Sequence, residues 1–242
     1  MCTIGAMLAP EKTFLLKNFD YLSTPTGWAY LETFDGGHSH FALVDHAQQG
    51  LNSGLNAAGL ALQISRSKCT DLDTPEREEI RTVLNGDVLA RFHTVPDAVA
   101  HIEAFASEHP EMLGGNVMLA DESHISVTEY FGGNAQSKIK TEGILLRANH
   151  SVFGLIDNHG ENSGSRYNQM QTFLNPTYPQ IKDLGRAEII DRCKDLLRTP
   201  PILNDNTRSS FVIDIQERRI DYMVGNSPWQ TFQFSDIPAM IA

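Results

Sequence analysis

The chain has 242 residues, 41% of them hydrophobic and 20% charged, a balance typical of globular proteins and not of disordered or fibrous ones. A formal net charge of −11 without any basic run argues against a nucleic-acid partner, because phosphate backbones are bound by clustered Lys and Arg. No apolar stretch reaches the roughly 18 residues that span a bilayer, and the N-terminus lacks the basic segment of a secretory signal, so we expect a cytoplasmic protein without a membrane partner.

The first third of the chain predicts short strands separated by glycine-rich turns. These strands cover residues 3–7, 13–18, 28–34, 41–45 and 60–65, and the segment 50–64 predicts a strand, a tight Asn-Ala-Ala-Gly turn and a second strand. Two helices follow. Thr74 is a typical N-cap before Pro75 in the first, and the second runs from about residue 96 to 108 with apolar positions at helical spacing.

The second half of the chain predicts further strands at 116–120, 123–131 and 143–149 and helices at 165–174, with Ser165 as N-cap, and 186–197. The tail predicts an antiparallel meander over 210–215, 219–224 and 229–234, and we expect segments 22–28 and 132–138 to be pocket-lining loops. Because clusters of strands flank runs of helix, the pattern favours an α+β layered fold over a parallel sheet. No repeat or linker divides the chain, so we expect one domain over residues 1–242.

Cys2 is the residue on which the functional interpretation depends. An initiator Met is generally trimmed when the second residue is small, and trimming here would leave a thiol and a free α-amine on one residue. The unperturbed pKa values of these groups are about 8.5 and about 7.7–8.0, so the amine can accept the thiol proton near neutral pH. Cys2 is therefore a candidate nucleophile that carries its own general base.

Candidate partners lie at the end of the second predicted strand, in the segment Lys17-Asn18-Phe19-Asp20. If this strand pairs with the first, its polar end lies beside Cys2, where a carboxylate could hold the α-ammonium and a cation could attract a thiolate. The competing interpretation is that Asn18 and Asp20 are turn residues after a hairpin strand.

Two later segments add polar residues at the ends of elements. Asn149 follows a predicted strand, and its side-chain amide could donate to a developing oxyanion. Its neighbour His150 fits either a pocket-lining role or a hydrogen-bonded structural one. Arg166, in a Ser/Gly-rich turn that opens a helix, could point back into a cleft.

These motifs together resemble one enzyme group. Met-Cys-Thr at the start, Lys-Asn-x-Asp near 20, Gly-x-Asn-x-x-Gly-Leu near 60, Ala-Asn-His near 149 and Ser-Arg-Tyr near 166 occur in one order. That order resembles choloylglycine hydrolases and penicillin V acylases, and also the acyl-coenzyme A:isopenicillin N acyltransferase-like group (peptidase family C45). All are N-terminal-nucleophile hydrolases that act on linear amides. The resemblance spans residues 2 to about 175 and implies a four-layer αββα sandwich of two antiparallel sheets between helical layers.

The resemblance also implies roles for individual residues. Cys2 would be the nucleophile and, through its amine, the base. Asp20 matches the carboxylate that contacts this amine, Asn149 matches the oxyanion-hole Asn, and Arg166 matches the Arg that follows the Ser-rich turn.

Two positions depart from the family pattern. Lys17 stands where the bile-salt enzymes usually carry Arg, which keeps the charge but loses the planar, bidentate guanidinium. Gln63 lies where those enzymes often have an Asn in the oxyanion hole or pocket.

The expected activity is therefore cleavage of a small-molecule amide, or use of an acyl donor, through a Cys2 thioester, by hydrolysis or by transfer to a second nucleophile. One alternative is a class II glutamine amidotransferase-like glutaminase, although such chains usually read Met-Cys-Gly-Ile where this one has Thr3. Another is a non-catalytic binding protein of the same fold that retains Met1. The sequence leaves open whether the chain forms a homo-oligomer.

We expect no metal and no other cofactor. His38, His40 and His46 form the nearest histidine group, and no carboxylate at metal-ligand spacing accompanies them. Cys2, Cys69 and Cys193 show no Cys-x-x-Cys spacing and predict neither a zinc site nor a disulfide framework.

Overall fold

A computed structural model of the chain describes residues 2–20, 26–33, 36–45, 50–66, 75–155 and 162–236. Within these ranges there are thirteen strands and four α-helices. The strands are β1 (Cys2–Ala9), β2 (Lys12–Asp20), β3 (Thr26–Leu31), β4 (His40–Asp45), β5 (Gly50–Asn56), β6 (Ala61–Arg66), β7 (Gly115–Ala120), β8 (Ile125–Phe131), β9 (Asn134–Lys140), β10 (Gly143–Arg147), β11 (Thr207–Asp214), β12 (Arg219–Val224) and β13 (Gln230–Gln233). The helices are α1 (Pro75–Arg91), α2 (Val95–Glu108), α3 (Ser163–Thr177) and α4 (Arg186–Leu197). None of the helices described has the length and apolar character needed to cross a membrane.

The described strands form two antiparallel sheets that stack face to face. One has six strands in the order β10-β1-β2-β11-β12-β13, and the other has seven in the order β3-β4-β5-β6-β7-β8-β9. Helices α3 and α4 cover the outer face of the first sheet, and α1 and α2 cover that of the second. The predicted α+β class and the αββα sandwich are confirmed.

The central strand β1 shows why the sheets stack in this way. Side chains alternate between the two faces of a strand, and all eight residues of β1 are buried. Ile4, Ala6 and Leu8 pack between the sheets, whereas Met7 and Ala9 pack against α3 and α4. A strand that is covered on both faces must be apolar on both, as a core strand is. The same alternation directs Cys2 into the layer between the sheets.

Most predicted elements are confirmed with boundary shifts of a few residues, and the helix predicted at 186–197 matches α4. The expectation of a loop at 132–138 is wrong, because β9 covers most of it. This strand lacks β-branched residues apart from Ile139 and has a mostly exposed pattern, so pairing with β8 rather than propensity holds it. Its Lys138 and Lys140 are typical of an edge strand.

The N-cap assignment of α3 also needs correction. The cap position is Asn162, in a left-handed conformation, and Ser165 lies inside the helix. The hydroxyl of Ser163, the first residue of the helix, contacts Asn149 and His150 instead of capping the helix. Thr74, Phe34, His46 and Cys69 lie outside the described residues, as does most of the 22–28 segment, of which Thr26 onward belongs to β3.

Candidate active site

The start of β1 and the end of β2 lie side by side in the middle of the six-stranded sheet, with Cys2 opposite Phe19. The prediction that the polar end of the second strand lies beside Cys2 is confirmed. Alternation along β2 divides that end between two faces. Leu15 and Phe19 pack between the sheets, so Lys17 shares their face, whereas Asn18 and Asp20 share the helix-side face of Leu16.

The backbone nitrogen of Cys2 has a defined acceptor. It lies 2.7 Å from Oδ1 of Asn149, two residues beyond β10, which pairs with β1 on the side away from β2. The Asn149 amide bonds through its other atom, Nδ2, to the carbonyl of Arg66 at 2.5 Å. The orientation of this amide follows from its partners, because a guanidinium group that also contacts Oδ1 can only donate and a carbonyl can only accept.

That guanidinium belongs to Arg166, which is only 1% exposed. Its Nη2 donates to Asn149 Oδ1 at 2.9 Å, and its Nη1 donates to the Cys2 carbonyl at 2.7 Å and to the Thr3 hydroxyl at 2.8 Å. Arg166 therefore enters from the first turn of α3 and fixes both Cys2 and Asn149. Burial lowers the pKa of Arg166, although Asp20 and Cys2 act in the opposite direction.

Asp20 lies on the helix side of this group. Its Oδ2 is 3.7 Å from Arg166 Nη1, and its carboxylate accepts hydrogen bonds from Thr207 Oγ1 at 2.7 Å and Asn204 Nδ2 at 2.9 Å. Burial raises the pKa of Asp20 although all three neighbours favour the charged form. The carboxylate is thus linked to Cys2 through Arg166.

Lys17 lies on the other face, between the sheets, with no exposed surface. Its Nζ donates to Asn52 Oδ1 at 2.8 Å and to Ser53 Oγ at 3.0 Å, both on β5 of the opposite sheet. Burial lowers the pKa of Lys17 to about 8; the cation Arg81 also lowers it, while Cys2 and Asp20 raise it. Lys17 is therefore a buried cation in electrostatic range of Cys2.

The structure places three other predicted residues around this centre. Asn18 Nδ2 donates to the carbonyls of Leu197, the last residue of α4, and of Ile202 beyond it. Gln63 Nε2 donates to the Gly5 carbonyl at 2.8 Å, which links β6 to β1 further along the strand from Cys2. His150 Nδ1 lies 2.8 Å from Ser163 Oγ, at the start of α3.

Several residues of the site have no counterpart in the sequence-based interpretation. Asn204 and Thr207 hold Asp20, and Ser163 accepts the backbone N–H of Asn149 at 2.8 Å. Asn52 and Ser53 lie within the segment singled out at 50–64, but the pattern there predicts only strand and turn. Their roles arise from contacts between distant segments, which leave no spacing signal in one sequence.

Across the described ranges, no three His, Cys, Asp or Glu side chains come together in a way that could hold a metal ion. A surface cavity of about 460 Å³ is lined by Gly59, Asp121 and Arg218 among others. It lies at the far end of β6 from Cys2, because Gly59 precedes this strand whereas the Arg66 carbonyl at its other end bonds Asn149. Asp121 is already engaged there by three backbone N–H groups.

Comparison with known proteins agrees with this architecture. The family model for acyl-coenzyme A:6-aminopenicillanic acid acyl-transferase matches residues 7–229, a range that begins after Cys2. None of the curated protein sequences compared with the chain matches it.

Solved structures with the same fold include three amide hydrolases. Penicillin V acylase from Agrobacterium tumefaciens is 16% identical with a TM-score of 0.67, covering 97% of this chain and 86% of that one. The Caenorhabditis elegans N-acylethanolamine-hydrolyzing acid amidase ortholog is 17% identical with a TM-score of 0.62, covering 89% and 93%. The C2A mutant of conjugated bile acid hydrolase from Clostridium perfringens is 12% identical with a TM-score of 0.67, covering 98% and 93%.

Proposed function

This chain belongs to the acyl-coenzyme A:6-aminopenicillanic acid acyl-transferase family, and on that premise we propose that it is a linear-amide hydrolase or acyltransferase. In the proposed mechanism, removal of Met1 frees the α-amine of Cys2, and the Cys2 thiol forms a thioester with the acyl group of the substrate.

The observation that carries the proposal is the contact between Cys2 N and Asn149 Oδ1 at 2.7 Å. A nitrogen that accepts a proton from the thiol becomes an ammonium group, and it needs an acceptor held in place. Asn149 Oδ1 is such an acceptor, because Arg166 fixes it from α3 and the Arg66 carbonyl fixes the other amide atom. A general base so oriented needs no histidine.

Charge around the thiol supports its role as nucleophile. Lys17, Arg81 and Arg166 are all buried and in electrostatic range of Cys2. Cations attract a thiolate more strongly when water is excluded, because the effective dielectric constant is lower. The carboxylates of Asp20 and Glu78, which contact Arg166 and Arg81, offset part of this positive charge.

In the chemical step, the Cys2 sulfur attacks the amide carbonyl carbon, and the thiol proton passes to the α-amine. The Asn149 Nδ2 group carries two hydrogens. One bonds the Arg66 carbonyl, and the second is the one we assign to the oxyanion. The ammonium then returns its proton to the leaving nitrogen, the C–N bond breaks, and the acyl group remains on sulfur. Water or a second nucleophile resolves the thioester.

The names of the relatives suggest the first substrates to test. The family is named for acyl transfer to 6-aminopenicillanic acid, and the structural neighbours act on penicillin V, N-acylethanolamines and conjugated bile acids. Penicillin V and the N-acylethanolamines are amides of a small amine and an acyl group, so a matched panel of such amides is the appropriate screen.

The direct test is mass spectrometry of the intact protein after mixing with each amide. We expect a mass that lacks one Met, plus a Cys2 adduct equal to the acyl group, and we expect Cys2→Ala to abolish turnover. Cys193→Ala is the matched control, because Cys193 is 2% exposed and burial raises the pKa of its thiol to about 12. Retained turnover in Cys2→Ala would refute the mechanism.

The same experiment separates the alternatives. A mass that retains Met1 favours a non-catalytic binding protein, because the Cys2 nitrogen is then a peptide nitrogen and cannot act as a base. Release of ammonia from glutamine, without reaction with the acyl amides, favours a glutamine amidotransferase-like glutaminase.

A further inference from the structure

Glu129 is a carboxylate with no exposed surface that none of the steps above uses. It lies on β8 on the same face as Ile125 and Val127, so its side chain points into the layer between the sheets. An ionised carboxylate is costly to bury unless several donors surround it. Among the described residues, the hydrogen-bond donors to Glu129 come from one segment, residues 151–155, which we call the 151–155 loop.

The contacts between Glu129 and this loop are numerous. Oε2 accepts the backbone N–H groups of Val152 at 2.9 Å and Phe153 at 3.0 Å, and Oε1 accepts that of Leu155 at 3.2 Å. Oε1 also accepts the hydroxyl of Ser151, and this hydroxyl in turn accepts the Gly154 N–H. Several N–H groups of one short segment that converge on one anion form a nest, so the loop conformation depends on the charge it encloses.

A second contact holds the loop from the other sheet. The guanidinium of Arg147, on β10, lies 4.9 Å from the centroid of the Phe153 ring. Arg147 is buried, which lowers its pKa, and Glu129 acts on it in the opposite direction. Glu129 from one sheet and Arg147 from the other therefore hold the loop between them.

The loop adjoins the reaction centre. It begins two residues after Asn149, which holds the Cys2 nitrogen, and Phe153 packs against the inter-sheet cluster that contains Cys2. The loop also presents apolar side chains, since Val152 is 44% exposed. An apolar segment that several hydrogen bonds hold near the thiol is suited to contact with the acyl part of a substrate.

We propose that Glu129 is a positioning residue that holds the 151–155 loop as one wall of the acyl-binding site, and so sets selectivity for apolar acyl groups. This inference rests on the proposed function, because it assigns a substrate part to the same site. Glu129 contacts no reacting atom and does not take part in the thioester step.

The test compares the wild-type protein with Glu129→Gln on N-acyl amides that share one leaving amine and differ in acyl chain length. Glutamine would turn an –NH₂ group toward backbone N–H donors, so we expect the loop to open. KM for the long-chain amide should rise about tenfold or more, the size of effect typical of lost apolar contacts. KM for the acetyl amide and kcat for both should change less than threefold.

Hydrogen exchange supplies a second readout that does not need turnover. In Glu129→Gln the amides of residues 152, 153 and 155 should exchange faster, while β8 itself stays protected. Ser151→Ala removes one contact and should give a smaller change of the same kind, which covers the case of a Gln variant that folds poorly. Glu122→Gln, an exposed acid in the turn before β8, is the matched control.

The outcomes are distinguishable. Unchanged loop exchange overturns the inference, as does a loss of kcat that is equal for short and long acyl chains. A wild-type protein that forms no acyl-enzyme with any amide overturns the proposed function and, with it, the acyl selectivity. Normal wild-type acylation with unchanged chain-length selectivity in Glu129→Gln overturns this inference alone.

Discussion

The layer between the two sheets contains two regions that contrast in chemistry. Between β3–β4 and β11–β13 it is aromatic: Phe41 stacks on Phe232 with centroids 3.9 Å apart, and Trp28 meets Phe41 at 5.3 Å and Phe211 at 5.1 Å. Between β1–β2 and β5–β8 lies what we call the polar region, because among apolar side chains such as Ile4 and Leu15 it buries the charged Lys17 and Glu129 completely. One continuous layer thus holds the sheets together on one side and carries the candidate site on the other.

The two regions differ in what they contribute to stability. Stacked rings gain from the hydrophobic effect and from ring geometry, and the Trp28 indole N–H donates to Ser209 Oγ at 3.3 Å. Buried charges contribute little net stability, because desolvation offsets their attraction, but each becomes costly if its partner is lost. The buried charges of the polar region therefore serve to position groups around Cys2 rather than to stabilise the fold.

The largest expected effect comes from removing Arg166, the buried cation that adjoins the polar region from the helix side of the six-stranded sheet. Arg166→Met should lower the free energy of unfolding by about 3–5 kcal/mol, because it leaves Asp20 as a buried charge without its cation. It should also lower kcat/KM by about a hundredfold or more, since Asn149 and Cys2 lose their shared donor. Denaturant unfolding and steady-state kinetics measure both.

Arg192→Met is the matched control for this change. Arg192 pairs with Glu188 on the surface of α4, where an ion pair contributes about 0.2–1 kcal/mol. If both variants lost the same free energy of unfolding, the buried network would be no more costly to break than a surface ion pair. The buried charges would then have no special role around Cys2.

Removing a ring of the aromatic region should have a similar effect on stability and almost none on catalysis. Phe41→Ala should lower the free energy of unfolding by about 3 kcal/mol, the low end for a truncated core Phe, because the partly exposed Trp28 beside it can relax into the space. We expect kcat and KM at a permissive temperature to stay within about twofold of wild type. A large drop in kcat would show that the aromatic region also positions the site.

The pH dependence that Lys17 imposes is the most gradual effect, at most about 1.4 kcal/mol per pH unit. Burial lowers its pKa to about 8 from 10.5 in the unfolded chain. Between these values the unfolded chain binds the additional proton, so the contribution of Lys17 to stability rises with pH. As pH rises through this interval, the free energy of unfolding of the wild-type protein should increase by up to roughly 3 kcal/mol relative to that of Lys17→Met.

Activity should move the other way, because the cation near Cys2 is lost as Lys17 deprotonates. Lys17→Arg keeps its charge through this interval, so it should shift the alkaline limb of the kcat/KM profile to higher pH. If the alkaline limb does not move in Lys17→Arg, the titration behind it belongs to a group other than Lys17.

The fold was predictable from the sequence because its signals are local. Short apolar strands between glycine turns and the apolar spacing in α2 predicted clusters of strands flanking runs of helix, and the expected pairing of the first two strands placed residues 17–20 beside Cys2. Strand β9 was missed because its own residues favour no strand and only pairing with β8 holds it.

The site was predictable only in part, because its contacts join distant segments. Cys2, Asp20, Asn149 and Arg166 were singled out through the resemblance, and the structure brings them together. The roles that the resemblance assigns to them remain predictions. The hydrogen bonds between Glu129 and the 151–155 loop could not be predicted, since residue 129 and the loop meet only when the two sheets stack.

By itself, then, the sequence determined the α+β class, the layered arrangement and a cysteine at position 2 with polar residues at recognisable spacings, because periodicity and chain order are encoded along the chain. Only the tertiary structure decided which face each polar residue occupies and which partner it meets. Lys17 and Asp20, three residues apart, lie on opposite faces of one strand and join different networks. Strand alternation gives the face, but the stacking of the sheets and the docking of α3 supply the partners.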